Sequence, residues 1–406
     1  MACHPRVTEW TAIIHARLPS LTKPQATVLG LWSLGMVWAR SCAWTAVSAF
    51  LATWLHRKED TVRQQWREFC YEATAKRGTA RQALGVETCC APRLAWVVAQ
   101  WEGTPLALAL DATTLGTRFT VLALSVVYRG WAILVAWTVL AATAKHAWRR
   151  EWWRMLRQVR RAIPRAWTVM VLADRGWYAR WLFRRLTRLG WHPFWRSNTG
   201  GPFRPQGHVR AVSLKTLVPE PGTTWQGTGI ACKGRQRQRH CTLLACWEAG
   251  YQDPWLILTD LPPEASTACW YGWRAWIEQG LKITKRAGWQ WQRPRMTMPE
   301  RAARLWLAVA VATLWLLSGG GEADEALPAS TVPEVTALIP MPLRLRRATC
   351  LRLVSVFRRG WTIILVALLE QAPLPMGRFI PEPWPAITAQ RELAPLLPDW
   401  EGPLAA

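Results

Sequence analysis

Three carboxylates stand where their side chains could do chemistry together. Asp111 closes the apolar run of "PLALALDATT", Asp174 closes that of "AWTVMVLADRGW", and Glu278 is the only acid in "YGWRAWIEQGLKITK", residues 271–285. An aspartate at the end of an apolar β run leaves the sheet edge toward a cleft. Taken singly, each is better explained as a turn-initiating aspartate. Two such acids and a glutamate on a later helix can instead converge on a hard divalent cation, because Mg²⁺ prefers oxygen ligands. Two ions about 3.5–4 Å apart activate a water and stabilise the leaving oxygen of a phosphodiester.

The glutamate's neighbours sharpen the question. Tyr271, Arg274, Glu278 and Lys285 are spaced by three, four and seven residues. On a regular helix, at about 100° per residue, they share a narrow arc of one face. Arg274 and Glu278 are also an i, i+4 pair, and a solvated ion pair there contributes only a few tenths of a kcal/mol. The bland reading is such a solvated face. Against it stand the lack of other acids and the aromatics Tyr271, Trp273 and Trp276.

The chain's balance of charge says what could sit against these acids. Lys and Arg number 51 against 26 Asp and Glu over 406 residues, a net charge of +25. Such an excess speaks about partners: a polyanion such as nucleic acid first, an anionic membrane surface second. Between Lys145 and Arg188 there are 13 Lys or Arg and only two acids, Glu151 and Asp174. The stretch "KGRQRQRH", 233–240, reads as a hairpin tip, with alternation presenting Lys233, Arg235, Arg237 and Arg239 on one side to track a phosphate backbone. Tryptophan is so frequent, at 31 residues, that a single Trp carries little information. The ten cysteines show no C-x-x-C pair and are expected as reduced thiols in a cytoplasmic protein. The first 30 residues read as carrying no signal peptide.

The elements that must position the acids follow from periodicity. Residues 1–95 look helical, an ordinary subdomain or a small DNA-binding one. Residues 100–196 run strand, strand, strand, helix, strand, helix, with "HPFW" as a possible fifth strand. That order predicts an α/β fold, a mixed sheet flanked by helices. The apolar stretch 119–140 is interrupted by Arg129 and Gly130 and reads as two buried strands rather than a membrane span. The run 305–317 is too short for a confident span. Residues 197–260 are rich in Gly, Pro, Thr and short alternating runs, a β-rich insertion. Residues 261–318 return to helices, one from about Pro263 carrying Glu278 and another after Pro299. In 319–406, "GGGEADEALPAS" reads as a linker, 343–371 as one or two basic helices, and the Pro-rich tail from Pro373 as extended or disordered.

Tyr271-x2-Arg274-x3-Glu278-x6-Lys285 resembles the Y-R-E-K signature of bacterial cut-and-paste DDE transposases of insertion-sequence family four. "LALDAT" and "VLADRGW" look like that family's first and second aspartate motifs, and the order Asp, Asp, β insertion, Glu agrees. The resemblance covers roughly 100–318. It implies an RNase H-like core and two Mg²⁺ ions (Mn²⁺ as a substitute) held by Asp111, Asp174 and Glu278. It implies hydrolysis and strand transfer at element ends and target, with Tyr271, Arg274 and Lys285 near the scissile phosphate. Trp247 and Trp255 are candidates for stacking on a flipped end base. The expected partner is double-stranded DNA bound by a homodimer, with nucleoid association and no membrane. A non-catalytic DNA-binding derivative of such an enzyme is the alternative, and a basic membrane protein a third reading.

Overall fold

Helix signals at the N-terminus translate directly into helices. The computed structural model describes residues 4–76, 82–144, 148–175, 180–231, 238–326 and 354–384. Helix α1, Pro5–Arg17, starts with proline in its first turn, and α2, Lys23–Ala39, with a full Thr22/Gln25 capping box. Then come α3, Trp44–Trp54, α4, Glu59–Cys70, and α5, Cys90–Ala99. Their inward faces are tryptophan-rich: Trp32 stacks on Trp66, and Trp10 on Trp315 of a helix far along the chain.

These helices belong to the same compact unit as the first sheet, residues 1–193 with 273–383. That sheet comprises β1, Leu106–Leu115, β2, Phe119–Tyr128, β3, Trp131–Ala141, and β4, Val169–Ala173, in the order β3-β2-β1-β4. The first three strands pair antiparallel, whereas β1 and β4 are parallel, so the sheet is mixed. Helices α6, Arg149–Arg160, and α7, Arg180–Arg188, precede and follow β4. The stretch 119–140 is indeed two buried strands, turned by Arg129 and Gly130 at φ 44° and 81°. Positive φ at both central residues matches the right-handed twist of a two-residue hairpin. The Arg129 guanidinium bonds Asp324, Glu325 and the carbonyl of Ile380.

The β2–β3 ladder slips at one place. Leu124 pairs with Ala136 and Ser125 with Leu134, leaving Val135 as the extra residue of a bulge. Arg93 of α5, wholly buried, fills the gap: Nε donates to the Leu134 carbonyl at 3.1 Å and Nη2 to the Val135 carbonyl. Its guanidinium lies 4.4 Å from the Trp137 ring centre.

One expectation needs correction here. The glycine run at 319–321 is not a linker, because helix α9 spans Pro299–Glu325 without a break. Gly320 persists in the helix because α10, Val356–Leu369, crosses there, and Gly321 because the Tyr128 hydroxyl lies against it. A Cβ on Gly320 would collide with the Val356 carbonyl and one on Gly360 with that of Leu316. Helix α9 is long and apolar enough to cross a membrane by composition, yet 94% of its apolar window is buried within the protein. The tail from Pro373 is extended but tied down: Phe379 N–H donates to Gln100 O and Phe379 O accepts from Glu102 N–H. Residues 343–353 and the tail beyond 384 lie outside the described residues.

The chain leaves the first unit within β5, His192–Arg196. The second unit, from Phe194 to Gly272 with the segment from Trp384, is β-rich. Its strands are β6, Pro202–Pro205, β7, Val212–Ser213, β8, Thr224–Ala231, β9, Arg239–Cys246, and β10, Trp255–Thr259. They run β5-β10-β9-β8-β6-β7 with antiparallel pairing throughout. Seven cysteines of the described residues are buried free thiols.

Candidate active site

The parallel pairing of β1 with β4 sets the two aspartates. Its rungs run from Leu106↔Val169 to Leu110↔Ala173, and Asp111 and Asp174 are the next residue on each strand. Residues level with each other in a parallel ladder point to the same face, so both carboxylates leave the sheet on one side. Asp111 itself does not end β1, which continues to Leu115 against β2 with Asp111 opposite Ala123. What ends at Asp111 is the parallel partner, since β4 stops at Ala173.

The glutamate arrives on an irregular segment, which corrects the single-face picture. Residues Ala268–Arg274 form 3₁₀ turns, α8 spans Ala275–Lys282, and Ile283–Ala287 is a π turn. The rotation per residue therefore changes twice between Tyr271 and Lys285. Helix α8 packs on the sheet through Gly280, where a Cβ would lie 3.1 Å from that of Ala132 in β3, and through buried Leu281.

Arg274 gathers the acids. Its Nη1 bonds Glu278 Oε1 at 2.5 Å, while Nη2 lies 3.5 Å from Asp111 Oδ1 and 3.7 Å from Asp174 Oδ2. Three carboxylates thus meet one guanidinium within a single unit. Their exposure is graded, Asp111 at 15%, Asp174 at 39% and Glu278 at 45%. Burial pushes the Asp111 carboxyl above its ordinary value. Arg274 and the Ala112 N–H, 2.8 Å from Oδ1, oppose that rise, while Glu278 and Asp174 add to it. Lys285 is close enough for Asp111 to raise its pKa, yet burial and then Arg286 hold it below the usual lysine value.

No group of three His, Cys, Asp or Glu among the described residues is arranged as a ready metal site. The donor chemistry nevertheless fits a divalent ion: carboxylate oxygens only, converging on a position that already holds positive charge. In this arrangement the Arg274 guanidinium stands at the point of convergence. Sequence spacing shows only its bond to Glu278; its reach to both aspartates follows from the fold.

The remaining candidates lie elsewhere. Tyr271 is buried in the second unit with its ring edge-on to Trp255, centroids 5.6 Å apart. Trp255 also meets Tyr251. Trp247 is half-exposed, donates to the Tyr251 carbonyl at 2.9 Å, and has the Lys215 ammonium 5.4 Å from its ring. Arg239 opens β9 opposite Ala231 of β8. Lys233, Arg235 and Arg237 lie outside the described residues.

Comparison with known proteins bears on this geometry. No curated protein matches the chain. Residues 102–315, more than half of its length, match the family described as transposase DDE domain. The matched span runs from just before β1 into α9 and includes Asp111, Asp174, Arg274, Glu278 and Lys285.

Proposed function

This chain belongs to the DDE transposase family, whose mixed-sheet α/β fold is RNase H-like, and from that membership we propose that it is an active cut-and-paste transposase of the insertion-sequence family four type. The observation that carries the proposal is the meeting of Asp111, Asp174 and Glu278 around Arg274. DDE transposases act on DNA and use divalent metal ions. Here Asp111, Asp174 and Glu278 would hold two Mg²⁺. When bound, the ions would act as Lewis acids toward the phosphodiester and lower the pKa of water.

The protein's own groups do the rest. Arg274 holds the three acids together before metal and DNA arrive, limiting their mutual repulsion. With the acids engaged elsewhere, its guanidinium is released to meet phosphate oxygens, for which its planar fork is suited. Lys285 adds positive charge beside Asp111 where charge develops on phosphorus. Water attacks the phosphodiester at an element end and frees a 3′-hydroxyl, which then attacks target DNA. Tyr271, packed on Trp255, would contribute with Arg239, Trp247 and Trp255 to DNA contact from the insertion. A homodimer would pair two element ends, and the substrate implies work at the nucleoid in the cytoplasm.

The test uses duplexes built from the DNA bordering the reading frame. With Mg²⁺ or Mn²⁺ the wild-type chain should nick and join them. Asp111→Asn, Asp174→Asn and Glu278→Gln should each lower cleavage by about a thousandfold or more, a loss of roughly 4 kcal/mol of transition-state stabilisation. Duplex binding should survive in all three. A wild-type chain that binds these ends but never cuts them is instead the non-catalytic derivative.

A further inference from the structure

We infer that unit 1 carries a second phosphate seat, apart from the carboxylates, in the cavity between the start of α3 and the 289–298 loop; the inference rests on the reading of DNA as substrate. The cavity measures about 560 Å³. Arg67, Arg293, Arg295 and Arg301 line it, and no acid does. None of the four forms an ion pair with a described residue. Four cations around one concavity repel one another unless a polyanion is present.

The walls are held in place by bonds that leave the arginines outward. Trp289 O accepts from Cys42 N–H at 2.7 Å, and Ser41 Oγ bonds Gln290 Oε1 at 3.1 Å. Arg118, in the turn between β1 and β2, donates to the carbonyls of Pro294 at 3.2 Å and Met296 at 2.9 Å. The loop is therefore pinned at both ends, and alternation along it buries Pro294 and Met296 while exposing Arg293 and Arg295. Arg301 is set by the Tyr71 ring, 3.8 Å from its guanidinium carbon. Trp44, Thr45 and Ala46, the first turn of α3, also line the cavity. The N-cap, Ala43, supplies no side-chain cap, so the first-turn N–H groups are available to an acceptor. Buried Trp44 Nε1 likewise has no hydrogen-bond partner.

Guanidinium forks and helix-end amides select tetrahedral oxyanions. The loop follows directly in the chain from the segment bearing Glu278 and Lys285, within the same unit. The ligand class is a phosphodiester backbone, read without regard to base sequence.

The experiment measures duplex affinity across a salt series for wild type, Arg293→Gln/Arg295→Gln, Arg293→Lys/Arg295→Lys and Glu278→Gln. Both arginines are exposed, and circular dichroism verifies folding. The Gln pair should lower the slope of log K against log salt by about 2, one per lost contact, equally for any sequence. The Lys pair should restore most of that slope, and Glu278→Gln should leave it unchanged. Cleavage of already saturated complexes should stay near wild type in the Gln pair. A steep wild-type slope that the Gln pair retains overturns the seat alone; a wild type with no salt dependence overturns the DNA reading too. In a parallel arm, inorganic phosphate should bind weakly, quenching tryptophan fluorescence somewhat more in wild type than in the Gln pair. Tight, arginine-dependent phosphate binding without any change in duplex slope would assign the cavity to a free anion and overturn the backbone assignment.

Discussion

Two arginines of unit 1 occupy opposite surroundings. Arg93 is wholly buried and faces the carbonyls of the β3 bulge, the Trp137 ring and the Cys90 thiol, whose own pKa is pushed up by burial. Arg274 faces three carboxylates that keep between 15% and 45% of their exposure. Around Arg93 no water or ion can replace the guanidinium, because the carbonyls it serves have no route to solvent. Around Arg274 the three carboxylates keep some access to solvent, so another cation can reach them. The first arginine is part of the architecture; the second is an exchangeable counter-charge.

The largest effect that tests this contrast is on stability. Arg93→Met keeps much of the buried volume but leaves the Leu134 and Val135 carbonyls unmet, at about 1–3 kcal/mol for each group. Urea unfolding should show a loss of about 2–5 kcal/mol, with residual activity tracking the folded fraction. A loss below 1 kcal/mol would mean that the bulge finds other partners and that the two arginines are alike.

Arg274→Gln is the counterpart. Stability should fall by about 1 kcal/mol, less than in Arg93→Met, because Asp174 and Glu278 stay substantially exposed even though Arg274 and Asp111 are mostly covered. Strand cleavage, measured on pre-assembled complexes, should fall by about a hundredfold, the scale of losing one donor to developing charge. Wild-type chemistry in this variant would make Arg274 a counter-ion of the resting state only.

The smallest effect is in pH. Asp111 titrates above its ordinary value of 3.8 because it is buried. Metal ligation needs the ionised form, so cleavage should decline as pH falls through that raised value, before ordinary aspartates titrate. Stability runs the other way: between 3.8 and the raised value the folded state holds more protons than the unfolded chain, so stability falls as pH rises. Asp111→Asn should flatten that small slope in urea midpoints. A midpoint profile identical to wild type would place the Asp111 charge in effectively aqueous surroundings.

How far the sequence could be read differs between these places. Asp111 and Asp174 were visible because apolar β runs announce themselves and the aspartate that follows is conspicuous. The paired strands of 119–140 and the Arg129–Gly130 turn were visible for the same reason. The geometry from Tyr271 to Lys285 was hidden, since one helical period cannot describe 3₁₀, α and π turns in succession. Gly319–Gly321 misled because local propensity argues against helix, while α10 at Gly320 and the Tyr128 hydroxyl at Gly321 leave no room for a side chain. Arg93 was invisible, because a bulge in β3 and its satisfier on α5 are joined only by the fold. The arginines at 293, 295 and 301 carry no spacing signal, because only the pinned loop gathers them.

The rung at which β4 stops has a consequence for how this protein tolerates change. Asp111 and Asp174 are aligned by counting, one step beyond five matched pairs. Substituting residues along either strand alters packing but leaves the count intact. Removing or adding one residue in β1 or β4 flips every later side chain to the opposite face, sending one carboxylate into the core side of the sheet. Lineages of this chain can therefore drift widely in composition through these strands, while their lengths are frozen.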